Sequence, residues 1–245
     1  MKLVADLHVH TVASGHAYST ALENAQAAAE RGLEMIALPD HGPAMPGGPH
    51  SYHFGNQRVI PDTLFGVRIL KGIEANVMDR NGTLDLEVER LSRLDIVLAG
   101  LHTLCSPCGS VEENTAMMME AMKNKWVDVI VHPGNPEYPI DAEAVVKAAV
   151  ELDVALEINN SSLTVSRKGS RPHCERIAVL AKQYGAKLMV GTDSHFSMSV
   201  GDFSQALALL ELHGISDQQV INVSVERIFK HINRRVNRHS LTDGA

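Results

Sequence analysis

Cysteine is scarce, long apolar runs are absent, and no block of lysine or arginine occurs anywhere in these 245 residues. The three cysteines, Cys105, Cys108 and Cys174, are too few and odd in number for a disulfide framework, so reduced thiols are expected. Cys105-Ser106-Pro107-Cys108 has the C-x-x-C spacing of redox and zinc sites. No second such pair accompanies it and it does not open a helix in a thioredoxin-like setting, so it receives no role. No apolar run approaches the ~20 residues of a membrane span. An acidic residue and the first histidine arrive too early for the apolar part of a signal peptide, which makes a cytoplasmic location the expectation. A formal net charge of -7 without a basic cluster argues against nucleic acid as a partner.

What the chain does have is a soluble globular composition, 44% hydrophobic and 21% charged, at a length that α/β barrels fill as one domain, taken here as residues 1–245. Seven apolar runs recur, at residues 3–7, 35–38, 67–73, 96–101, 127–131, 154–158 and 188–190. They are nearly continuous rather than alternating, as strands of a parallel sheet buried on both faces must be. Helical periodicity lies between them. The first interval opens on the capping-box pair Thr20 and Glu23 and stops at Gly32, and others lie near residues 112–123, 141–151, 176–184, 203–212 and 225–236. Residues 42–55 read as a loop, Asn81-Gly82 as a tight hairpin turn, and residues 241–245 as a fraying end.

Histidines and carboxylates punctuate the ends of these strands. His8 and His10 lie two apart and so project to one side of a strand. His41, Glu74, His102 and His132 end the next four strands, and Asp193 and His195 repeat the two-apart spacing after the last. A carboxylate buried at the end of an apolar strand costs several kcal/mol, roughly, unless a cation meets it. Ligands at six strand ends converge on one centre only if the strands close into a ring, so a seven-strand (β/α) barrel is expected over an open sheet. His16, His41 and His195 together offer a separate all-nitrogen site. Imidazole and carboxylate without thiolate suit zinc, manganese or iron.

Asp6 and Asp40 are read as outer hydrogen-bond partners or strand-end structure. Arg167 and Lys168 are candidates for binding a substrate anion. His53, in the proline-rich loop, is a candidate for touching substrate, weighed against an ordinary surface position. His173, His213, His231 and His239 are expected to face solvent, and residues 225–236 either to cover the barrel or to face another subunit.

The segments Asp-Leu-His-Val-His, Asp-His-Gly-Pro, Gly-Ile-Glu-Ala-Asn, Ala-Gly-Leu-His, His-Pro-Gly-Asn-Pro, Glu-Ile-Asn-Asn-Ser-Ser and Gly-Thr-Asp-Ser-His, in this order, resemble the PHP (polymerase and histidinol phosphatase) superfamily and its YcdX-type phosphatases. The resemblance implies a distorted, TIM-like (β/α)7 barrel, three divalent ions, often zinc, and a homotrimer. Carried over, one ion takes His8, His10, Glu74 and Asp193, with Glu74 bridging to a second held by His102 and His132, and the third takes His16, His41 and His195. Such a cationic pocket suits hydrolysis of a phosphomonoester, in a small phosphorylated metabolite, by metal-activated water and without a protein nucleophile. The alternatives are a phosphodiesterase or nuclease on the same site and a non-catalytic metal-binding regulator.

Overall fold

In the computed structural model, which describes residues 1–233, strands and helices alternate from the start. The elements are β1 (Ala5–Asp6), α1 (Ala21–Glu30), β2 (Met35–His41), α2 (Tyr52–Asn56), β3 (Thr63–Leu64), β4 (Val67–Asn76), α3 (Val88–Leu91) and β5 (Ile96–Gly100). There follow α4 (Val111–Met122), β6 (Val129–Ile130), α5 (Ala142–Glu151), β7 (Ala155–Asn159), α6 (Arg171–Tyr184), β8 (Leu188–Gly191), α7 (Ser204–Leu212) and α8 (Val225–Ile232).

Strands β1, β2, β4, β5, β6, β7 and β8 pair in that order, all in parallel. The ring closes beyond the strands themselves. Val9 bridges Ser194, with the His10 amide donating to Ser194 O at 2.8 Å and the Ser194 amide to His8 O at 3.2 Å. Lower down the ladder between β1 and β8 is missing, and one side chain fills it. Asn222 Nδ2 donates to Ala5 O and Val190 O, both at 2.8 Å, while its Oδ1 accepts from the Val190 amide at 3.1 Å. The result is the nearly closed seven-strand barrel expected from the ligand-bearing strand ends.

Both faces of the strands are dry. One apolar cluster, with Ile36, Ile73, Val97, Leu156 and Val190, lies between the strands and the surrounding helices. A second fills the barrel interior with Leu7, Met35, Leu70, Leu98, Val129 and Met189, and the same cluster takes in Ile228 and Ile232 of α8. Helix α8 therefore plugs the amino-terminal end of the barrel, which settles what its apolar stripe covers. Residues 234–236 of the expected helix, His239 and the expected fraying end fall outside the described residues.

Several local expectations change. The capping boxes hold α1 and α4, through Thr20 with Glu23 and Ser110 with Glu113. Helix α6 starts at Arg171, five residues before its periodicity is visible, because Pro172 is acceptable in a first helical turn. Loop 42–55 carries the start of the short α2, and the two-residue β3 pairs antiparallel with β4, a strand too short to show in the sequence. The Asn81-Gly82 hairpin shrinks to a single Val77–Leu84 bridge. There Gly82, at φ 71°, is the left-handed residue after a turn whose amides bond to the Asp79 carboxylate. His231 is buried rather than solvent-facing, its Nε2 2.9 Å from Asp128 O, because it shares the barrel-facing side of α8.

Candidate metal centre

The carboxyl ends of the strands bring their polar residues to the floor of a cavity of about 880 Å³. Glu74, inward-facing on β4, lies behind the lining residues His41 and His102 and is fully buried. Its Oε1 lies 3.0 Å from His102 Nε2 and 2.8 Å from His132 Nε2. Its Oε2 lies 2.8 Å from His41 Nδ1, 3.3 Å from His10 Nε2 and 3.4 Å from His8 Nε2. Five imidazoles thus surround one carboxylate. Asp193 Oδ1 adds contacts of 3.2 Å to His10 Nε2 and 3.6 Å to His8 Nε2.

These contacts are not a satisfied hydrogen-bond network. Glu74 Oε2, Asp193 Oδ1, His41 Nδ1 and His102 Nδ1 are buried without an aligned partner, although His41 Nδ1 and Glu74 Oε2 are only 2.8 Å apart. Close donor-type and acceptor-type atoms with no shared hydrogen along their line are what a common cation produces. Beneath and around the basin, Asp6, Asp40, Glu74, Glu157 and Asp193 are all buried, while among the described residues Arg167 is the only lysine or arginine in its lining. Positive charge is the missing component, so the residues fit divalent ions.

The outer partners fix which imidazole nitrogens face inward. Glu157 Oε1 accepts from His8 Nδ1 at 2.8 Å, leaving Nε2 toward the cluster. Ser14 Oγ donates to Asp40 Oδ1 at 2.8 Å and so must accept from His10 Nδ1 at 3.0 Å, which leaves His10 Nε2 inward as well. His195 Nδ1 donates to Asp193 O at 3.0 Å. The two inward nitrogens of His8 and His10 are 3.1 Å apart. Burial opposes charge on His8, but Glu157, Glu74 and Asp193 raise its pKa well above the usual value, while burial and His41 bring His10 down to about 3. Without an ion, a proton on His8 therefore supplies the charge that the cluster demands. Loading zinc into ion-free protein at neutral pH should release protons and weaken as the pH falls, because ligand imidazoles must be neutral. A pH indicator in weak buffer during the titration reads the release, and zinc uptake with no proton change would contradict this.

Burial opposes ionisation of Glu74, but His41, His102 and His8 hold its carboxyl well below the usual range. Asp193 is likewise held down against burial by His8 and Arg167, the latter with Nη1 2.8 Å from Oδ2. His132 at φ 36°, Asp193 at φ 54° and Arg167 at φ 44° all adopt the left-handed backbone region. Strain of that kind persists where surrounding structure fixes a functional side chain.

Three groups of ligand atoms lie within 4.8 Å of one another: His10, His41 and His195; His8, His10 and Asp193; and His41, Glu74 and His102. His10 and His41 each belong to two of them. His16 is exposed, its ring 4.9 Å from those of His41 and His195, and His132 meets the cluster through Glu74. Of the candidate substrate residues, Arg167 lines the basin, whereas Lys168 is exposed and does not. His53 turns its Nε2 to Asp40 Oδ2 at 3.1 Å. Asp40 acts on the cluster through Ser14; Asp6 instead ties β1 to the segment after β8 by accepting from Thr192 Oγ1 and the Gly201 amide, with burial raising its pKa to about 6.

Glu157 is the candidate site residue that strand-end reasoning passes over. Besides His8 it accepts from the His132 amide at 2.8 Å and Asn159 Nδ2 at 3.0 Å, so one carboxylate orients two candidate ligands and their support. A Cβ on Gly191 would stand 2.2 Å from Glu157 Oε1 and 2.8 Å from His8 Cβ, so glycine there is what lets the pair meet. The available signal was a lone glutamate inside an apolar run. Glu157→Gln, which keeps the shape but can turn an NH2 toward His8, should weaken zinc affinity about 10- to 100-fold. Competition against a chromogenic chelator measures this, and unchanged affinity would remove Glu157 from the site.

Fold and basin together define a barrel that concentrates candidate metal ligands at the carboxyl ends of its strands. The PHP domain family model matches residues 6–236, and the chain belongs to this family. A probable phosphatase of Caldanaerobacter subterraneus subsp. tengcongensis is 49% identical over 96% of this chain and 93% of its own. One of Acetivibrio thermocellus is 49% identical over 97% and 98%, and one of a Shewanella strain is 47% identical over 96% and 93%. Among solved structures, the histidinol phosphate phosphatase of Lactococcus lactis, complexed with zinc, L-histidinol and phosphate, superposes with a TM-score of 0.58 at 17% identity, covering 86% of this chain and 94% of that one. A Xaa-Pro dipeptidase reaches 0.55 at 13% identity, covering 94% and 76%, so the fold alone does not fix the chemistry. Among the described residues no helix is long and apolar enough to cross a membrane.

Proposed function

We propose that the chain is a metal-dependent phosphatase that hydrolyses phosphomonoesters of small metabolites at a site of three divalent ions. The observation that carries this is Glu74, whose two oxygens face separate sets of imidazoles, His102 with His132 on one side and His8, His10 and His41 on the other. Such an arrangement supports a bridging role for this carboxylate. In this reading His8, His10, Glu74 and Asp193 hold one ion, Glu74, His102 and His132 a second, and His16, His41 and His195 a third. The nitrogen and oxygen donors suit zinc first, with manganese and iron as alternatives, and the zinc in the Lactococcus neighbour supports that order. The relatives' phosphatase names support the reaction class. A homotrimer, which the resemblance implies, belongs to the same proposal.

When bound, the ions supply an activated water and positive charge at the phosphoryl oxygens. The protein's own part is to orient and to exclude rivals. Glu157 and the Ser14–Asp40 pair hold His8 and His10 in the tautomers that present Nε2. Arg167 keeps one nitrogen on Asp193, and its remaining planar donors suit the phosphoryl oxygens of substrate. Neither Ser14 nor Ser194 is free to act as nucleophile. Ser14 Oγ is taken by His10, Asp40 and the His41 amide, and Ser194 Oγ by Phe196 O and Ser199. Burial holds the Cys105 and Cys174 thiols protonated, with pKa values near 11 and 12.

The test is hydrolysis of an aryl phosphomonoester beside the matching diester, by zinc-reconstituted wild type and His102→Ala at equal metal loading. Monoester turnover in the wild type, lost in the variant, is the expected result. Diester turnover alone would replace this reading with a phosphodiesterase.

A further inference from the structure

We infer that the phosphomonoester taken by this basin carries, on its alcohol side, an apolar group of about ring size and no negative charge of its own. The inference rests on the phosphatase reading above and concerns the part of the cavity that the metal ligands leave unused. The loops after β5, β7 and β8 each put one large apolar side chain into the lining of the same cavity. They are Leu104, Val165 and Phe196, and they are 71%, 90% and 50% exposed. A single exposed leucine is unremarkable. Three from separate loops converging on one concave site of 880 Å³ that also contains His102, Asp193 and Arg167 form a binding surface.

Charge narrows the class. Apart from Asp193 and Arg167, which bond to each other, the charged residues in the lining are Glu137 and Asp202. Both are acidic and disfavour a second phosphate or a carboxylate on the substrate. Among the described residues no lysine lines the cavity to receive one. A sugar bisphosphate or a phosphoglycerate would face two carboxylates and leave Leu104, Val165 and Phe196 in water. An alcohol with an aromatic or branched apolar group removes those side chains from water as it binds, and a leaving group without negative charge meets no repulsion from Glu137 and Asp202.

The experiment compares kcat/KM for 2-phenylethyl phosphate, glycerol 1-phosphate and 3-phosphoglycerate with zinc-loaded enzyme. These are alkyl monoesters of unactivated alcohols, so binding rather than leaving-group reactivity sets the order. The expected order places 2-phenylethyl phosphate first, by about tenfold or more over glycerol 1-phosphate, and 3-phosphoglycerate last. The ratio of the first two should fall toward one in Phe196→Ala and in Leu104→Ala. Calorimetric binding of 2-phenylethylphosphonate against methylphosphonate, which needs no turnover, should show the same ratio and the same loss. Comparable turnover of all three esters would overturn the inference and leave the phosphatase reading intact. A preference unchanged in both variants would also overturn it, by placing the contact elsewhere. No turnover of any monoester would sink the phosphatase reading and this inference with it.

Discussion

Glu74→Gln is expected to reduce phosphomonoester hydrolysis on the order of 10³-fold in kcat, the scale on which removal of one fixed electrostatic group acts in an active site. The fold should survive. Glutamine is isosteric with the carboxylate, and the surrounding strands are held by ladders and two apolar clusters that do not depend on it. The variant also loses the negative charge that keeps five imidazoles together, so zinc should no longer raise its melting temperature. The wild type, by contrast, should gain about 2.7 kcal/mol of apparent stability at a free zinc concentration a hundredfold above Kd. Circular dichroism with and without zinc separates the two effects. A folded Glu74→Gln enzyme that keeps both turnover and zinc-dependent stabilisation would refute the bridging role.

The largest effect on stability is expected far from the chemistry, at Asn222. Its side chain supplies the hydrogen bonds that strands β1 and β8 do not exchange, so Asn222→Ala strands the Val190 amide and the Ala5 and Val190 carbonyls inside the barrel wall. Each buried backbone group left without a partner costs ~1–3 kcal/mol. Allowing for relaxation, a loss of about 3–5 kcal/mol and a fall of about 10 °C in melting temperature are expected. Asn222→Asp should not rescue it, since that side chain would turn an oxygen toward two carbonyl oxygens. Thermal unfolding of ion-free protein tests this directly, and a shift of only a degree or two would mean that β1 and β8 close without the amide.

Both residues show where a sequence speaks and where it is silent. Glu74, His102 and His132 were legible because each interrupts or ends an apolar run in which a polar side chain has no local partner. His8 and His10 were legible because two-residue spacing on a strand fixes a common side. The barrel followed from the same residues, since only a ring brings so many strand ends together. Asn222 offered no such signal: it looks like an ordinary asparagine after Ile221, and its partners lie at Ala5 and Val190. Ser14 carries no signal of its own in the sequence, since its partner Asp40 lies 26 residues away. Glu157 was hidden inside a strand because attention to strand ends finds the groups that face an ion, not those that hold them. The burial of His231 is not legible because a helical stripe shows that one face is buried without showing how far that face extends; the Asp128 carbonyl it meets is 103 residues away.

The most direct measurement on this account is the metal content of wild type and Glu74→Gln by elemental analysis, after zinc reconstitution and removal of free ion, with monoester turnover recorded on the same samples. About three ions per chain are expected in active wild type, and fewer in the variant with activity lost alongside them. One ion or none per chain in a protein that still hydrolyses the monoester at full rate would contradict it.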